Sequence, residues 1–174
     1  LLSQRARGAG GSVVFCTLQG SRPILCDLQA LAAKSFYSVP KRTVGGMDSS
    51  RVALLLAVME KRAGKKLFDQ DVYINVAGGL ALSDPAADLA VCVAVASSLM
   101  GFALSPSLSV MGEVGLCGEV RPVSQAERRV AECVRLGFTE ILLPKQNMKS
   151  IKPIEGVRLT GVDTLMQALA VVTD

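Results

Sequence analysis

The sequence predicts an α/β domain in which mixed sheets pack against helices. Short apolar runs rich in β-branched residues alternate with longer runs whose apolar residues recur at helical spacing, and Gly or Pro separates most of them. A chain of 174 residues, half of them hydrophobic, is long enough for one such domain with a real core. Only 4% of the residues are aromatic and there is no Trp. We therefore expect an aliphatic core and no aromatic platform for stacking single-stranded nucleic acid.

The first half of the chain predicts a hairpin, a polar loop, a helix and a further strand. The strands are expected at 12–18, 24–31 and 71–77. A polar, Gly-containing loop at 34–47 follows the hairpin. Asp48 or Ser49 can cap the next helix, whose apolar residues fall on one face, and Gly64 ends it.

The second half predicts helices that alternate with short strands. The helices are expected at 85–100, 125–136 and 163–173, and the strands at 108–114, 118–123, 139–143 and 157–160. Asp84 followed by Pro85 is a helix-start signal, with Asp as the N-cap. Ser124 is expected to cap the following helix and Gly137 to close it. Because the helix at 85–100 is apolar nearly all round, we expect it to be buried at the centre.

Charge is distributed unevenly along the chain. The overall excess is +4, but residues 1–66 hold 11 Lys/Arg against 3 Asp/Glu, whereas residues 67–174 hold 8 against 12. A basic first part of this kind favours a face that meets a polyanion such as nucleic acid. The alternative is an ordinary solvated surface, with complementary charge elsewhere on the domain or on a neighbouring subunit.

The cysteine pattern indicates free thiols in a reducing, intracellular compartment. The five cysteines are far apart in sequence, odd in number and form no CxxC pair. Four of them are expected to be buried: Cys16, Cys26, Cys92 and Cys133. Cys117, in a Gly-flanked turn, is expected to be exposed, and without His we expect no metal site. The longest apolar run is too short to span a membrane, and residues 1–11 resemble a linker rather than a signal peptide.

Several chemistries are excluded by the residues themselves. Without His there is no Ser-His-Asp or Cys-His machinery. The AGKK segment at 63–66 lacks the hydroxyl with which a phosphate-binding loop holds magnesium, and Gly78 and Gly79 lack the rest of a dinucleotide fingerprint. One serine-protease design needs no His, because a Ser at a helix N-terminus can be activated by a neutral Lys.

Two blocks of the sequence resemble the motifs of the Lon peptidase, which uses that design. They are VYINVAGGLALSDPAADLA at 72–90 and GEVGLCGEVRPVSQAERRVAE at 112–132. The resemblance implies a Lon-peptidase-like fold (ribosomal protein S5 domain 2-like) and places Ala86 at the nucleophilic Ser and Arg129 at the catalytic Lys. A methyl group cannot attack and a guanidinium cannot act as a base, so we expect a pseudo-peptidase. Arg129 and Arg128 would then form structural ion pairs with nearby carboxylates: Glu127, Glu132 or Asp88.

Across 12–172 the chain resembles the C-terminal domain of the RadA (Sms) family of DNA-repair ATPases. The KRTVGGMDSSRVALLLAV segment at 41–58 is what distinguishes that family from a true protease. The resemblance implies a Lon-protease-like domain at 12–174, with a zinc motif and a RecA-like core in a longer parent protein that is a DNA-dependent ATPase. ATP, Mg and Zn would bind those other parts, and no cofactor is expected in this domain. It also implies a homo-hexamer that processes branched recombination intermediates, in a bacterial cytoplasm or a plant organelle (chloroplast or mitochondrion).

The basic residues of the first part are the candidates for DNA contact, because Lys and Arg bind phosphates without regard to base sequence. The candidates are Arg22, Lys34, Lys41, Arg42, Arg51, Lys61, Arg62, Lys65 and Lys66. Lys41, Arg42 and Arg51 are favoured because they flank one loop and helix start within the family-like segment. The expected function is a non-proteolytic DNA-binding surface, for single-stranded or branched DNA, and a hexamer scaffold for branch migration. Two alternatives stay open: a residual Ser-type peptidase, or a purely structural ring-forming domain without DNA contact.

Overall fold

A computed structural model of the chain describes residues 10–173. The strands over this range are β1 (Ser12–Gln19), β2 (Arg22–Lys34), β3 (Arg42–Gly45), β4 (Gln70–Val76), β5 (Leu108–Val110), β6 (Glu113–Val114), β7 (Val120–Arg121), β8 (Glu140–Pro144) and β9 (Arg158–Val162). The helices are α1 (Ser49–Ala63), α2 (Asp88–Met100), α3 (Ala126–Arg135) and α4 (Leu165–Thr173).

In the described range, seven of the strands form one mixed sheet in the order β3-β4-β2-β1-β5-β8-β9. The β1–β2 hairpin and the β2–β4 pair are antiparallel, whereas the β3–β4, β1–β5, β5–β8 and β8–β9 pairs are parallel. β6 and β7 form a separate antiparallel pair. A mixed sheet packed with helices confirms the predicted α/β class, and β1 and β2 confirm the predicted hairpin.

The helix α2 is the centre of the hydrophobic core. All of its residues from Asp88 to Ser97 are buried, and it packs against β1, β2, α1 and α4. Two serines fix it to the sheet, since Ser97 Oγ accepts the Gly11 N–H at 2.9 Å and Ser98 Oγ accepts the Ala32 N–H at 3.0 Å. β1 is buried at six consecutive residues, so both of its faces are covered. The prediction of a buried central helix is confirmed.

Both ends of α1 and the start of α2 follow the predicted capping signals. Asp48 caps α1 by accepting a first-turn backbone N–H at 3.1 Å, and Gly64 closes the helix in the left-handed conformation. Asp84 accepts the Ala86 N–H at 3.0 Å, and a single 3₁₀ turn at Pro85–Ala87 then leads into α2.

None of the helices within 10–173 is long and apolar enough to cross a membrane.

The polar loop predicted at 34–47 contains a strand. Arg42–Gly45 forms β3, which pairs in parallel with β4 at the edge of the sheet. A short edge strand of this kind has little apolar periodicity, and its partner strand begins only after α1. Its local sequence therefore gave no strand signal.

The single strand predicted at 108–114 is divided between two sheets. β5 belongs to the large sheet and β6 to the small one, and Gly112 lies between them. The Gly112 N–H donates to the Ala86 carbonyl and the Gly112 carbonyl accepts the Leu89 N–H, both at 2.9 Å. A Cβ at this position would lie 3.1 Å from the Leu89 side chain, which leaves little room for any residue but Gly. The chain therefore passes from the large sheet to the small one at Gly112, where its backbone is hydrogen-bonded to the start of α2.

The start of α3 differs from the prediction. Gln125 occupies the N-cap position with a φ of 51° and makes no side-chain capping bond. The Ser124 hydroxyl accepts a hydrogen bond from the Arg129 guanidinium at 3.3 Å. The prediction that Ser124 caps this helix is wrong, because a buried side chain rather than the backbone uses its oxygen.

Gly11 is part of the folded domain, whereas residues 1–9 of the predicted linker at 1–11 lie outside the described residues. The Gly11 carbonyl accepts the Ala30 N–H at 2.7 Å, and Gly11 has a φ of 95°. A Cβ at this position would lie 2.1 Å from the Ala30 carbonyl oxygen. The close approach of this turn to β2 therefore requires Gly.

The thiols are distributed as predicted. The cysteines expected in the interior are buried, and Cys117 is exposed in the turn between β6 and β7. Burial raises the pKa of Cys26 to about 12, and it also raises the pKa of Cys92. These two thiols are therefore held in the protonated, unreactive form.

Candidate functional site

A cleft of about 460 Å³ lies at the N-terminus of α2. Its walls are the start of α1, the turn that precedes α2, and β6. It is lined by Met47, Asp48, Arg51, Leu82, Ser83, Asp84, Pro85, Asp88 and Glu113. The cleft therefore lies where the two Lon-like blocks of the sequence meet.

Ala86 lies behind this cleft rather than in its lining. Its side chain is buried, its N–H donates to Asp84 at 3.0 Å, and its carbonyl accepts the Gly112 N–H at 2.9 Å. The position offers a methyl group, which has neither a lone pair for attack nor a proton to transfer.

Arg129 is buried in α3 and is surrounded by hydrogen-bond acceptors. Its guanidinium lies 2.6 Å from the Asp84 carboxylate and donates to the carbonyls of Cys16 and Ser124, each at 2.9 Å. Only 1% of the side chain is exposed. A permanent cation with this many acceptors is a structural group, because burial without them would be costly.

The partners expected for Arg129 and Arg128 are not those that the structure shows. Those expected were Glu127, Glu132 and Asp88. Arg128 donates instead to the Ser21 carbonyl at 2.8 Å, and Glu132 forms an ion pair with Arg135. The expectation relied mainly on neighbours along one helix, whereas the carboxylate that pairs with Arg129 is 45 residues away in sequence.

Asp84 is held in its charged form by its surroundings. Burial by itself would raise the pKa of this carboxyl group, but hydrogen bonds from Arg129 and from the Ala86 and Leu18 N–H groups, with the Arg129 charge, outweigh burial and lower the pKa. The Thr17 hydroxyl also donates to this carboxylate, at 3.3 Å. Asp84 thus joins β1, α2 and α3.

A second carboxylate of the cleft, Asp88, is buried and paired with Arg51. The Arg51 guanidinium donates to both carboxylate oxygens of Asp88, and its pKa is raised by this hydrogen bond. Asp88 also accepts the Val114 N–H at 3.0 Å, while Arg51 donates to the Val114 carbonyl at 3.1 Å. The Asp88 side chain is 1% exposed and that of Arg51 is 33% exposed. One of the three favoured DNA-contact residues is therefore engaged in joining α1, α2 and β6.

Two carboxylates that line the cleft, Asp84 and Asp88, hold elements of the fold together through their arginine partners. Ser83 is the sole hydroxyl among its lining residues in the described chain, and none of them is Lys. Within residues 10–173, no group of three or more His, Cys, Asp or Glu side chains is arranged to hold a metal ion.

Five of the predicted DNA-contact residues share one edge of the sheet, which we call the basic edge: Lys34, Lys41, Arg42, Lys65 and Lys66. Lys34 ends β2 and lies opposite Gln70 at the start of β4, and Arg42 begins β3 beside it. Lys65 and Lys66 follow the end of α1 and lead directly to the turn before β4. The ends of three neighbouring strands and one helix therefore bring these residues together.

The side chains of the basic edge are not equally available. Arg42 donates to the carbonyls of Gln70 and Leu67, so part of its guanidinium is used to hold the turn before β4. Lys41 is exposed and its ammonium lies 4.3 Å from the centre of the Tyr37 ring. Lys34 and Lys66 are also exposed. The lysines, more than Arg42, can reach a ligand.

The remaining candidates lie elsewhere. Arg22 begins β2, roughly 40 Å along that strand from Lys34 at a rise of about 3.3 Å per residue. Lys61 and Arg62 are in the last turn of α1, and the Arg62 guanidinium donates to the Leu116 carbonyl at 3.3 Å. Arg51 is in the cleft. The nine candidates thus do not form one surface.

An exposed group of aromatic residues beside the basic edge was missed. Phe36, Tyr37, Phe68 and Tyr73 are all exposed. The expectation of no aromatic platform rested on composition, which did not indicate that four of the seven aromatic residues lie at the surface. The available signal was local: Phe36 and Tyr37 lie in a polar loop, where an aromatic residue has no core to join.

The comparisons with known proteins agree with this fold. The sequence profile of the family described as Lon protease (S16) C-terminal proteolytic domain matches residues 48–169. The chain is 44% identical to DNA repair protein RadA of Streptococcus pyogenes serotype M3, over 98% of the chain and 38% of that protein. It is 42% identical to DNA repair protein RadA of Halalkalibacterium halodurans (98% of the chain, 37% of that protein) and of Bacillus subtilis (97% and 37%). The chain spans less than two fifths of the length of these relatives.

The fold, the cleft and the profile define a Lon-type peptidase domain, and the chain belongs to that family. The RadA relatives match nearly the whole chain, including the segment before residue 48 that the Lon profile does not reach. The chain is therefore a Lon-like C-terminal domain of the RadA type. This confirms both the predicted fold class and the resemblance on which the functional expectations rest.

Proposed function

We propose that this domain is the non-proteolytic, DNA-contacting part of a RadA-type DNA-repair protein, and that it also acts as a scaffold for a hexamer that performs branch migration. The observation that carries the proposal is the basic edge, to which the end of β2, the start of β3 and the segment after α1 contribute positively charged residues. The names of the relatives, DNA repair protein RadA, supply the biological setting.

Contact through lysines suits a protein that acts on any sequence. Exposed Lys side chains bind phosphates as point charges and read no bases, so such contact is independent of sequence and sensitive to salt. Lys34, Lys41 and Lys66 are the exposed members of the basic edge, and we assign the phosphate contacts to them.

The assignment as a pseudo-peptidase is supported by the chemistry of two positions. Ala86 has no nucleophilic atom, and Arg129 is a permanent cation paired with Asp84. The alternative of a residual Ser-type peptidase would have to use Ser83, which is exposed and has no Lys beside it in the lining of the cleft. We therefore favour loss of the reaction over its transfer to other residues.

The remaining parts of the proposal concern the parent protein. We attribute binding of ATP, Mg and Zn, and the DNA-dependent ATPase activity, to parts of the parent other than this domain. The buried free thiols support a reducing, intracellular compartment. A purely structural ring-forming domain is the second candidate, and only a binding measurement separates it from the first.

The test compares two triple charge reversals that change the net charge equally. The first carries Lys34→Glu, Lys41→Glu and Lys66→Glu, and the control carries Lys145→Glu, Lys149→Glu and Lys152→Glu at exposed positions between β8 and β9. Binding to labelled single-stranded and branched DNA is followed by anisotropy over a salt series, and molecular mass by light scattering.

We expect the first variant to bind about tenfold more weakly or worse, with a shallower salt dependence, and the control to bind nearly as the unchanged chain does. Equal losses of DNA affinity in both variants would show that the overall charge of the domain attracts DNA, and not the basic edge in particular. Self-association without any DNA binding by the unchanged chain would favour the structural ring former.

A further inference from the structure

Four exposed aromatic residues lie on neighbouring segments of the chain, and we call them the aromatic patch: Phe36, Tyr37, Phe68 and Tyr73. Phe36 is 98% exposed and Phe68 is 65% exposed. Phe36 and Tyr37 follow Lys34 in the loop after β2, whereas Phe68 lies in the turn before β4. The two segments are joined by a hydrogen bond from the Ser35 N–H to the Asp69 carbonyl, at 2.8 Å.

Tyr73 and Lys41 connect the patch to the sheet. Tyr73 lies on the solvent-facing side of β4, opposite Leu31 of β2 and Thr43 of β3. The Lys41 ammonium lies over the Tyr37 ring, and its pKa is raised by a hydrogen bond with Tyr37 and, to a smaller extent, by the nearby Tyr73. Both tyrosines are therefore next to the same lysine of the basic edge.

The exposure of these rings is unusual for this sequence. The chain has seven Phe and Tyr residues and no Trp, and more than half of its aromatic side chains are in this patch instead of the core. Fully exposed Phe is unfavourable in water unless a ligand covers it, so a group of exposed rings marks a binding surface.

The charge around the patch selects among the ligands that could cover it. Lys34, Lys41 and Lys66 flank the rings. Of the nearby carboxylates, Asp71 is buried and accepts the Lys41 N–H at 2.6 Å, and Glu60 accepts the Leu67 N–H at 3.1 Å. The third, Asp69, is half-buried and accepts the Gln70 side-chain amide at 3.4 Å. Aromatic faces bordered by cations match a ligand that has flat bases along a phosphate backbone.

We propose that the aromatic patch binds single-stranded DNA by stacking unpaired bases on Phe36 and Phe68, with Tyr37 and Tyr73 beside them, while the basic edge holds the phosphates. The inference rests on the proposed function, because it assumes that the basic edge meets DNA. It goes further in naming the contact surface and its mode of binding: a duplex keeps its bases stacked on each other, so stacking on the patch requires unpaired bases.

The chain provides its own spectroscopic probe of this surface. Its two tyrosines are Tyr37 and Tyr73, and with no Trp to mask them their emission reports on the aromatic patch alone. An oligothymidylate is titrated into the chain, in parallel with a strand of the same length and charge in which the bases are replaced by abasic sites. We expect the first strand to quench the tyrosine emission and to bind more tightly, and the abasic strand to bind without quenching.

The variant that tests stacking carries Phe36→Ala and Phe68→Ala. Both side chains are exposed, so folding should be unaffected, and the control variant carries Leu116→Ala and Leu136→Ala at exposed positions outside the patch. Removing stacked rings should weaken binding of the oligothymidylate by about fivefold or more, while binding of the abasic strand is unchanged. The control variant should bind both strands as the unchanged chain does.

The outcomes separate this inference from the proposed function. Equal affinity for both strands, with no effect of Phe36→Ala and Phe68→Ala, would overturn stacking and leave phosphate contact at the basic edge intact. Absence of binding to either strand would overturn the proposed function itself. A fall in molecular mass of the Phe36→Ala, Phe68→Ala variant, without a change in DNA affinity, would assign the patch to contact between subunits and also overturn the inference.

Discussion

The guanidinium of Arg129 lies 2.6 Å from the carboxylate of Asp84, the residue that caps the helix turn containing Ala86. The cation of α3 and the carboxylate two residues before Ala86 therefore form one ion pair, in which 1% of the Arg129 side chain and 12% of the Asp84 side chain are exposed. This pair links the turn before α2 to α3.

Restoring the two Lon residues should not restore a peptidase. In a variant with Ala86→Ser and Arg129→Lys, the new amine would lie beside Asp84, which favours the charged amine. A charged amine cannot accept a proton from the hydroxyl, so neither cleavage of an unfolded protein nor labelling by a serine-reactive phosphonate is expected. Adding Asp84→Asn is the control that removes this charge. Labelling of the double variant would contradict the structural role given to Asp84.

Asp84 should contribute to stability against acid. Its pKa is lowered in the folded protein, so its contribution is complete above the ordinary value of 3.8 and is lost as the pH falls through the lowered value. Urea unfolding from about pH 5 down to about pH 2 should therefore show a smaller loss of stability for Asp84→Asn than for the unchanged chain. Parallel curves for the two proteins would mean that another carboxylate dominates acid unfolding.

Arg51 and Lys41 should differ in their effect on folding. Arg51→Glu would place a second carboxylate against buried Asp88 and lower the free energy of unfolding by about 3 kcal/mol or more. Lys41→Glu, at an exposed position, should leave it nearly unchanged. Urea denaturation of both variants checks this, and similar stabilities would show that Arg51 is dispensable for the fold. If the difference is found, Arg51 is unsuitable for charge-reversal tests of DNA binding.

Gly11 should tolerate no side chain. Gly11→Ala would bring a Cβ to 2.1 Å from the Ala30 carbonyl oxygen at a φ of 95°, so the turn must move away from β2. Gly20→Ala is the matched control, because Gly20 also has a positive φ, of 63°, but open space around it. The control should cost about 1 kcal/mol and Gly11→Ala clearly more in thermal unfolding. Equal costs would place Gly11 outside the folded domain.

A thiol reagent should find one of the five cysteines in the folded chain. Cys117 is exposed and the others are buried. We expect one equivalent of thiol to react with Ellman's reagent under native conditions, five in denaturant, and none rapidly in Cys117→Ser. Fast reaction of a second thiol without denaturant would show that the core opens locally.

Local signals in the sequence were enough for the helices and the hairpin. Asp48 and Asp84 mark helix starts because a carboxylate that accepts the first free N–H groups acts within a few residues. The burial of α2 follows from a sequence that is apolar on every side. Features of this kind depend on neighbours along the chain, and they were predicted correctly.

The site depended on contacts between distant segments, and there the sequence was less informative. The short strand β3 is stabilised by a partner beyond α1, and Arg129 takes its carboxylate from a loop that nothing in its own helix indicates. The aromatic patch is assembled from the loop after β2, the turn before β4 and β4 itself. Composition alone could not show that these rings lie together outside the core.

The encirclement of α2 by two strands and two helices governs how the domain opens. A helix with neighbours on every side cannot unfold locally, because moving it in any direction would disrupt its packing against one of those neighbours. The amide protons of its buried residues should therefore exchange with water only through global unfolding, so the most deeply buried helix sets the cooperativity of the whole domain.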